Sequence, residues 1–407
     1  MSYYFKLGGL PHKRHTQFRQ PDGSLYHEEL MGIHGFVGNK SLLYHLRPPT
    51  QVTQIDRGCE VKIPYADPGP VQHRLLNTAN VPAGGDAISG RVPLMANSDV
   101  CIFVARPTDQ MPYWYRYAHG DEVIFVHEGT GVLESQFGTL RYGPGDYLVI
   151  PTGVIWRLVL DAGVGQRMLV VETSGGHISP PRRYVNQYGQ FLESAPYSER
   201  DIRPPDALVT HDETGEFEVR VKARGFVSRY HYPHHPLDVV GWDGHLWPFA
   251  FNIEDFEPIT GRVHQPPPVH QTFDGPGFVL CSFVPRLFDY HPQSIPAPYN
   301  HSNVDSDEMI YYVKGDFMSR KGIEAAAITV HPNGIPHGPH PGTYEGSIGK
   351  TRTDELAVMV DTFRPLRITR EAAELEDARY PYSWLPAEDA SGEARELSER
   401  GPEAFPD

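Results

Sequence analysis

Apolar residues along this chain come in short runs, separated by Gly, Pro, Asn and Asp, and that rhythm predicts short β-strands joined by tight turns. It is clearest from Asp99 onward. Residues 100–104 form an unbroken apolar run, and 122–127, where Glu122 and His127 flank an apolar stretch, follow as a second strand. Turn signals at Gly129, Gly131 and Gly138, then Gly143-Pro144-Gly145-Asp146, lead into 147–150. Strands at roughly eight-to-twelve-residue spacing indicate a β-sandwich or barrel. Residues 1–60 read as edge strands and connectors, and the Pro- and Gly-dense stretch 61–90 as an irregular segment over a sheet. Residues 182–232 read as a polar connection with a few strands. His231, His234 and His235, interrupted by Pro233 and followed by Pro236, suggest a solvated hinge. A second β-rich region starts at Leu237 and ends near Ile368. Residues 371–376 suit a short helix, and the acidic remainder a mobile tail.

The pattern repeats. Glu122 opens an apolar strand that ends at Gly129, and Glu308 opens one that ends at Gly315, the same distance on. Downstream, Pro151-Thr152-Gly153-Val154-Ile155-Trp156 matches Pro332-Asn333-Gly334-Ile335-Pro336-His337. A strand carrying His and Glu, then a P-x-G-x-x-H turn, is similar to the double motif of the cupin superfamily. The expected fold is therefore mainly β, with two cupin-type jelly-roll domains and few short helices. Residues 1–235 would hold a degenerate copy, because Trp156 replaces the histidine. Residues 236–370 would hold the catalytic copy, and 371–407 the acidic tail.

Composition narrows the function. The 407 residues suffice for two or three domains, and 39% hydrophobic with 21% charged residues is ordinary for a globular protein. The 39 Gly and 39 Pro exclude long amphipathic helices. A formal charge of −15 argues against nucleic acid or an anionic membrane as partner. Cys59, Cys101 and Cys281 lie far apart and form no CxxC pair, so neither a disulfide framework nor a thiolate zinc site is expected. The start lacks an apolar signal core and no stretch would span a bilayer, which makes a cytoplasmic location the simplest expectation.

The chemistry gathers in 298–340. His301, Glu308 and His337 offer two imidazoles and one carboxylate, the ligand set of a mononuclear iron(II) oxygenase with positions open for substrate and O2. Neighbouring strands of a small barrel can aim such side chains at one interior point. Asp305 and Asp307 are rival carboxylates. The repeat register favours Glu308, matching Glu122, and Asp307 stays open. Manganese, nickel or zinc would also accept this donor set. Tyr299 and Tyr312 could offer hydroxyls to a substrate or simply pack. His270, His291 and His340, on Pro-flanked loops, receive no role.

Residues 238–244, 251–256, 262–264, 298–303 and 331–339 together resemble the homogentisate 1,2-dioxygenase family, with weaker similarity at 25–30 and 44–48. The resemblance implies Fe(II) held by His301, Glu308 and His337, His264 as the base that takes a phenolic proton, and His331 as a second histidine near the pocket. Tyr299, Asn303, Phe317, His331 and His337 would contact substrate. It further implies O2-dependent cleavage of homogentisate to maleylacetoacetate, in tyrosine and phenylalanine catabolism, by a trimer or dimer of trimers. A ring hydroxyl and the acetate carboxylate would both coordinate iron. The chain departs from the family at Phe317, where a tyrosine is usual, at Asn300 and Ser302, and in a loop one residue longer before Glu308. Those departures leave gentisate or another hydroxylated aromatic acid as an alternative substrate. A non-catalytic small-molecule-binding bicupin, or an isomerase using a different metal, are the readings from other classes.

Overall fold

The computed structural model describes residues 3–315, 317 and 322–385. Strands dominate it, with only two short α-helices, Thr343–Ser347 and Arg370–Ala373, among the described residues. The sheets fall into two jelly-roll modules packed against each other. In the N-terminal module an eight-stranded sheet, containing Val100–Ala105, Glu122–Glu128, Asp146–Ile150 and Arg167–Thr173, faces a seven-stranded sheet with Trp114–Tyr117, Gly131–Ser135 and Ile155–Leu160. The C-terminal module is a six-stranded sheet ordered Gln271–Gly275, Phe278–Phe283, Leu356–Thr362, Asp307–Lys314, Ile328–His331 and Arg74–Leu76.

Strand alternation explains how one sheet serves both a core and a site. On Asp307–Lys314, Met309 and Tyr311 join the buried core, while Glu308, Ile310 and Tyr312 face a cavity. The seam between modules runs along the core side. Tyr311 hydrogen-bonds His127 at 2.6 Å, Tyr147 bonds Ser282 at 2.9 Å, and Phe273 meets Tyr147 edge-on at 5.9 Å. Cutting one such buried ring to Ala costs about 3–5 kcal/mol in typical cores. The strand Glu122–Glu128 is buried over its first five residues because both its faces are covered.

The chain interleaves more than its hydrophobic pattern suggested. Val239–Gly244 lies between Phe5–Gly8 and Lys40–His45, and Phe249–Asn252 pairs with Asp146–Ile150. Arg74–Leu76 crosses the other way, onto Ile328–His331. The division expected at 235/236 thus falls between two strands that both pair with N-terminal partners. Lys40–His45 is not an edge but an inner strand with Leu43 fully buried.

The hinge expected at 231–236 is corrected. Pro233 sits within the strand Phe226–His234, in a long hairpin with Thr214–Ala223, and His234 and His235 are buried. His231 is clamped between Asp56 at 3.0 Å and Glu216 at 2.9 Å, acids distant in sequence that pairing brings near. The short helix expected at 371–376 appears as Arg370–Ala373, but the tail reading changes beyond it: Tyr380 is buried, and Trp384 packs on His73 at 5.2 Å. Positions 386–407 lie outside the described residues. No disulfide links the cysteines, of which Cys101 and Cys281 are buried.

Candidate metal centre

The turn 332–337 brings the last histidine into place. Gly334 adopts φ +75°, as Gly153 does at φ +86° in the other copy, a conformation that disfavours any side chain. His337 then pairs backbone-to-backbone with His301, the two amides and carbonyls exchanging bonds of 2.8 Å. Glu308 reaches the same point from its strand. His301 Nε2 lies 3.8 Å from one Glu308 oxygen and His337 Nε2 3.4 Å from the other. The three ligand atoms lie within 4.8 Å of one another.

Burial alone would raise the Glu308 carboxyl, but the three imidazoles gathered around it, His301, His331 and His337, outweigh that and hold the group well below its ordinary pKa. A carboxylate is thus fixed in its charged form. His337 Nε2 is buried without a hydrogen-bond partner, a costly state for a polar atom unless a ligand completes it. Two imidazole nitrogens and a carboxylate converging on one point fit a divalent transition metal.

Asp307, the rival acid, points the other way. Its carboxylate accepts from the Asn333 amide at 2.8 Å and the Leu366 amide at 2.6 Å, bracing two loops. Asp305 is exposed. His331 lies behind Glu308. It stands opposite Glu308 in register, gives one ring nitrogen to Glu308 at 2.7 Å and the other to Tyr380 at 3.2 Å, and does not line the cavity. With both nitrogens engaged, it orients Glu308 from behind.

A cavity of about 430 Å³ opens from the centre. Tyr299, Asn303 and Phe317 all line it, and so does His264, whose Nδ1 lies 3.5 Å from Asp289 Oδ2 and whose ring meets Tyr299 at 5.0 Å. Asn303 donates to Glu308 at 3.3 Å, so it positions the carboxylate as well as facing the cavity. Phe317 packs edge-on against Tyr312 at 4.4 Å, and the Tyr312 hydroxyl bonds Thr329 at 3.0 Å.

Three cavity residues escaped the sequence reading. His270, a Pro-flanked histidine with no motif around it, is buried and ends against Phe283 at 4.5 Å. Arg286 carried no motif. Asp361 stands beside Glu308 in register, and its burial, then the Glu308 charge, pushes its pKa well above the ordinary carboxylate range. Asp361 had a readable signal: Val171-Glu172-Thr173 and Val360-Asp361-Thr362 are the same repeat, with Glu172 opposite Glu122 as Asp361 is opposite Glu308.

Comparison with known proteins is consistent across the chain. The family model described as homogentisate 1,2-dioxygenase N-terminal matches residues 77–253. A protein of Saccharolobus solfataricus described as "Putative dioxygenase SSO1533" is 41% identical over 387 residues, 94% of this chain and 99% of that one. Homogentisate 1,2-dioxygenase of Rhodopseudomonas palustris is 27% identical, covering 90% of this chain and 87% of its own. The enzyme of that name from Bradyrhizobium diazoefficiens is 26% identical, covering 92% and 89%.

Proposed function

The chain belongs to the homogentisate 1,2-dioxygenase family, and on that premise we propose that it is an Fe(II)- and O2-dependent dioxygenase that opens the ring of homogentisate to give maleylacetoacetate. The observation that carries this reading is the convergence of His301, Glu308 and His337 beside an aromatic-lined cavity. Bound there, ferrous iron would supply Lewis acidity and one-electron chemistry toward O2. Everything else falls to side chains.

His264 takes the phenolic proton. Asp289 faces its Nδ1 and favours the tautomer protonated there, which leaves Nε2 as the acceptor. Tyr299 packs on the His264 ring and narrows its approach. His331 and Asn303 hold the two oxygens of Glu308, so the carboxylate stays oriented through turnover. The apolar wall of Phe283, Ile310 and Met359 excludes water from the reacting ring. A hydroxylated aromatic acid other than homogentisate, such as gentisate, is the second reading, favoured by the missing hydroxyl at Phe317. A trimer or dimer of trimers is part of the same proposal. For location, no helix among the described residues is long and apolar enough to cross a membrane.

The test is metal analysis of fresh protein, then anaerobic Fe(II) reconstitution and O2 uptake with homogentisate and gentisate in parallel. Uptake should return with iron and one of the two acids. A His301→Ala protein that kept full turnover after metal removal would sink the proposal.

A further inference from the structure

The cavity has two polar ends. One is the metal centre. Glu308 and Tyr312 stand four positions apart on one strand, so the cavity floor runs roughly 13 Å to its far end. There Tyr312, Phe317 and Phe283 form apolar walls around Arg286 and His270. Among the described residues no carboxylate lies within ion-pair distance of Arg286. Its guanidinium makes one long bond, 3.4 Å to its neighbour's carbonyl, and lies 5.5 Å over the Phe288 ring. His270, 4% exposed, leaves Nδ1 buried without a partner.

A half-buried cation beside a buried, unsatisfied imidazole is costly unless a ligand completes both. We propose that Arg286 and His270 form an anion site that holds the carboxylate of the aromatic acid at the end of the cavity away from the metal. The substrate then lies lengthwise, with a ring hydroxyl toward His301, Glu308 and His337. This rests on the ring-cleavage reading for its substrate class. It differs from the chelate implied by family resemblance, in which carboxylate and hydroxyl share the metal.

The surroundings suit the assignment. Phe317 has no hydroxyl to hold a carboxylate, and Arg286 offers a planar fork that binds one with two parallel bonds. His270 is neutral: burial, then the Arg286 charge, depress its pKa to about 3, so it adds a hydrogen bond without a second charge. Asp289 and Glu355 also line the cavity. Asp289 is already engaged by the amides of Gly261 and Gln265, each at 3.1 Å, and by His264.

Titration calorimetry on the full-length protein should show 2,5-dihydroxyphenylacetate binding roughly 10- to 100-fold tighter than hydroquinone, which lacks the carboxylate. Arg286→Met should abolish that preference while leaving hydroquinone affinity alone, and Arg286→Lys should retain part of it. Arg286→Gln replaces the Met variant if the latter loses its melting transition. Equal wild-type affinity for the two ligands, or a folded variant that keeps the preference, overturns the site. The two readings fail separately. Arg286-dependent binding without O2 uptake by iron-loaded protein leaves the anion site and removes ring cleavage. O2 uptake with an unchanged preference does the reverse.

Discussion

The two modules bury the same carboxylate and neutralise it differently. Glu122 and Glu308 occupy matching strand positions, each with a second acid opposite in register, Glu172 and Asp361. In the N-terminal module Arg91 reaches between the pair, donating to Glu122 at 2.7 Å and Glu172 at 2.6 Å, and Lys222 also pairs with Glu172. Trp156, at the position of His337, donates its indole N–H to Glu122 at 3.3 Å. The cation is built into the chain and the site is closed. In the C-terminal module no Lys or Arg side chain pairs with Glu308 among the described residues, and His337 presents an unsatisfied nitrogen instead. A buried carboxylate needs a counter-charge. One copy took it from an arginine, the other left the place for a metal.

The sharpest way to break this comparison is to remove the counter-charge from each side. Glu308→Gln should lose bound metal and more than about 100-fold in activity, beyond what loss of an outer-sphere partner costs. Metal content and O2 uptake measure it. Arg91→Met should leave buried Glu122 without a cation and Glu172 with Lys222 alone, and cost about 3–5 kcal/mol of stability, read by denaturant unfolding. Its surviving folded fraction should bind metal as the wild type does. A metal-depleted Arg91→Met protein would show that the modules are not chemically separate.

Why one centre was legible and the other was not follows from the chain path. His301, Glu308 and His337 lie within forty residues around a Gly- and Pro-marked turn, so local pattern suffices. Arg91 comes from a strand well before Glu122, and nothing in its neighbours marks it as a replacement for a metal. The Asp307-or-Glu308 ambiguity needed strand phase: adjacent residues face opposite sides of a sheet. His234 and His235 looked solvated because polar residues beside prolines usually are; hairpin pairing with Thr214–Ala223 buries them instead. Tyr380 and Trp384 belong to a segment whose acidic composition hid two aromatic anchors against His331 and His340.

The modules should also part in their response to pH. In the N-terminal half, His45 is buried between Asp238 at 2.7 Å and Glu29 at 3.2 Å. Burial opposes its charge, but the hydrogen bonds to Asp238 and Glu29 outweigh it and raise the pKa to about 9. A folded-state pKa above the unfolded value means the contribution, about 3 kcal/mol, is complete below pH ~6.5 and lost as pH rises toward 9. His270 in the C-terminal half works in the opposite sense. Its pKa of about 3 penalises the folded state as pH falls below ~6.5, when the unfolded chain protonates and the buried ring does not. Melting temperatures of His45→Gln and wild type should therefore converge between pH 6.5 and 9. A gap that stayed constant would remove His45 from the account.

The smallest expected effect tests what the duplication kept. Asp121 and Asp307 each precede the buried Glu and brace the same two loops. Asp121 accepts from the amides of Thr152 at 2.8 Å and Ile178 at 2.9 Å; Asp307 accepts from those of Asn333 and Leu366. Thr152 and Asn333 both follow the proline that opens the P-x-G turn, so each brace sets the turn that delivers position 156 or 337. An Asn in place of either Asp can satisfy one amide but turns a donor toward the other, at about 1–3 kcal/mol. Asp121→Asn and Asp307→Asn should lose similar stability, and neither should lose metal outright. If Asp307→Asn alone releases metal while Asp121→Asn costs the same stability, the brace acts on the centre through the turn. Equal metal retention in both would confine the divergence of the two copies to the residues that touch the buried carboxylate.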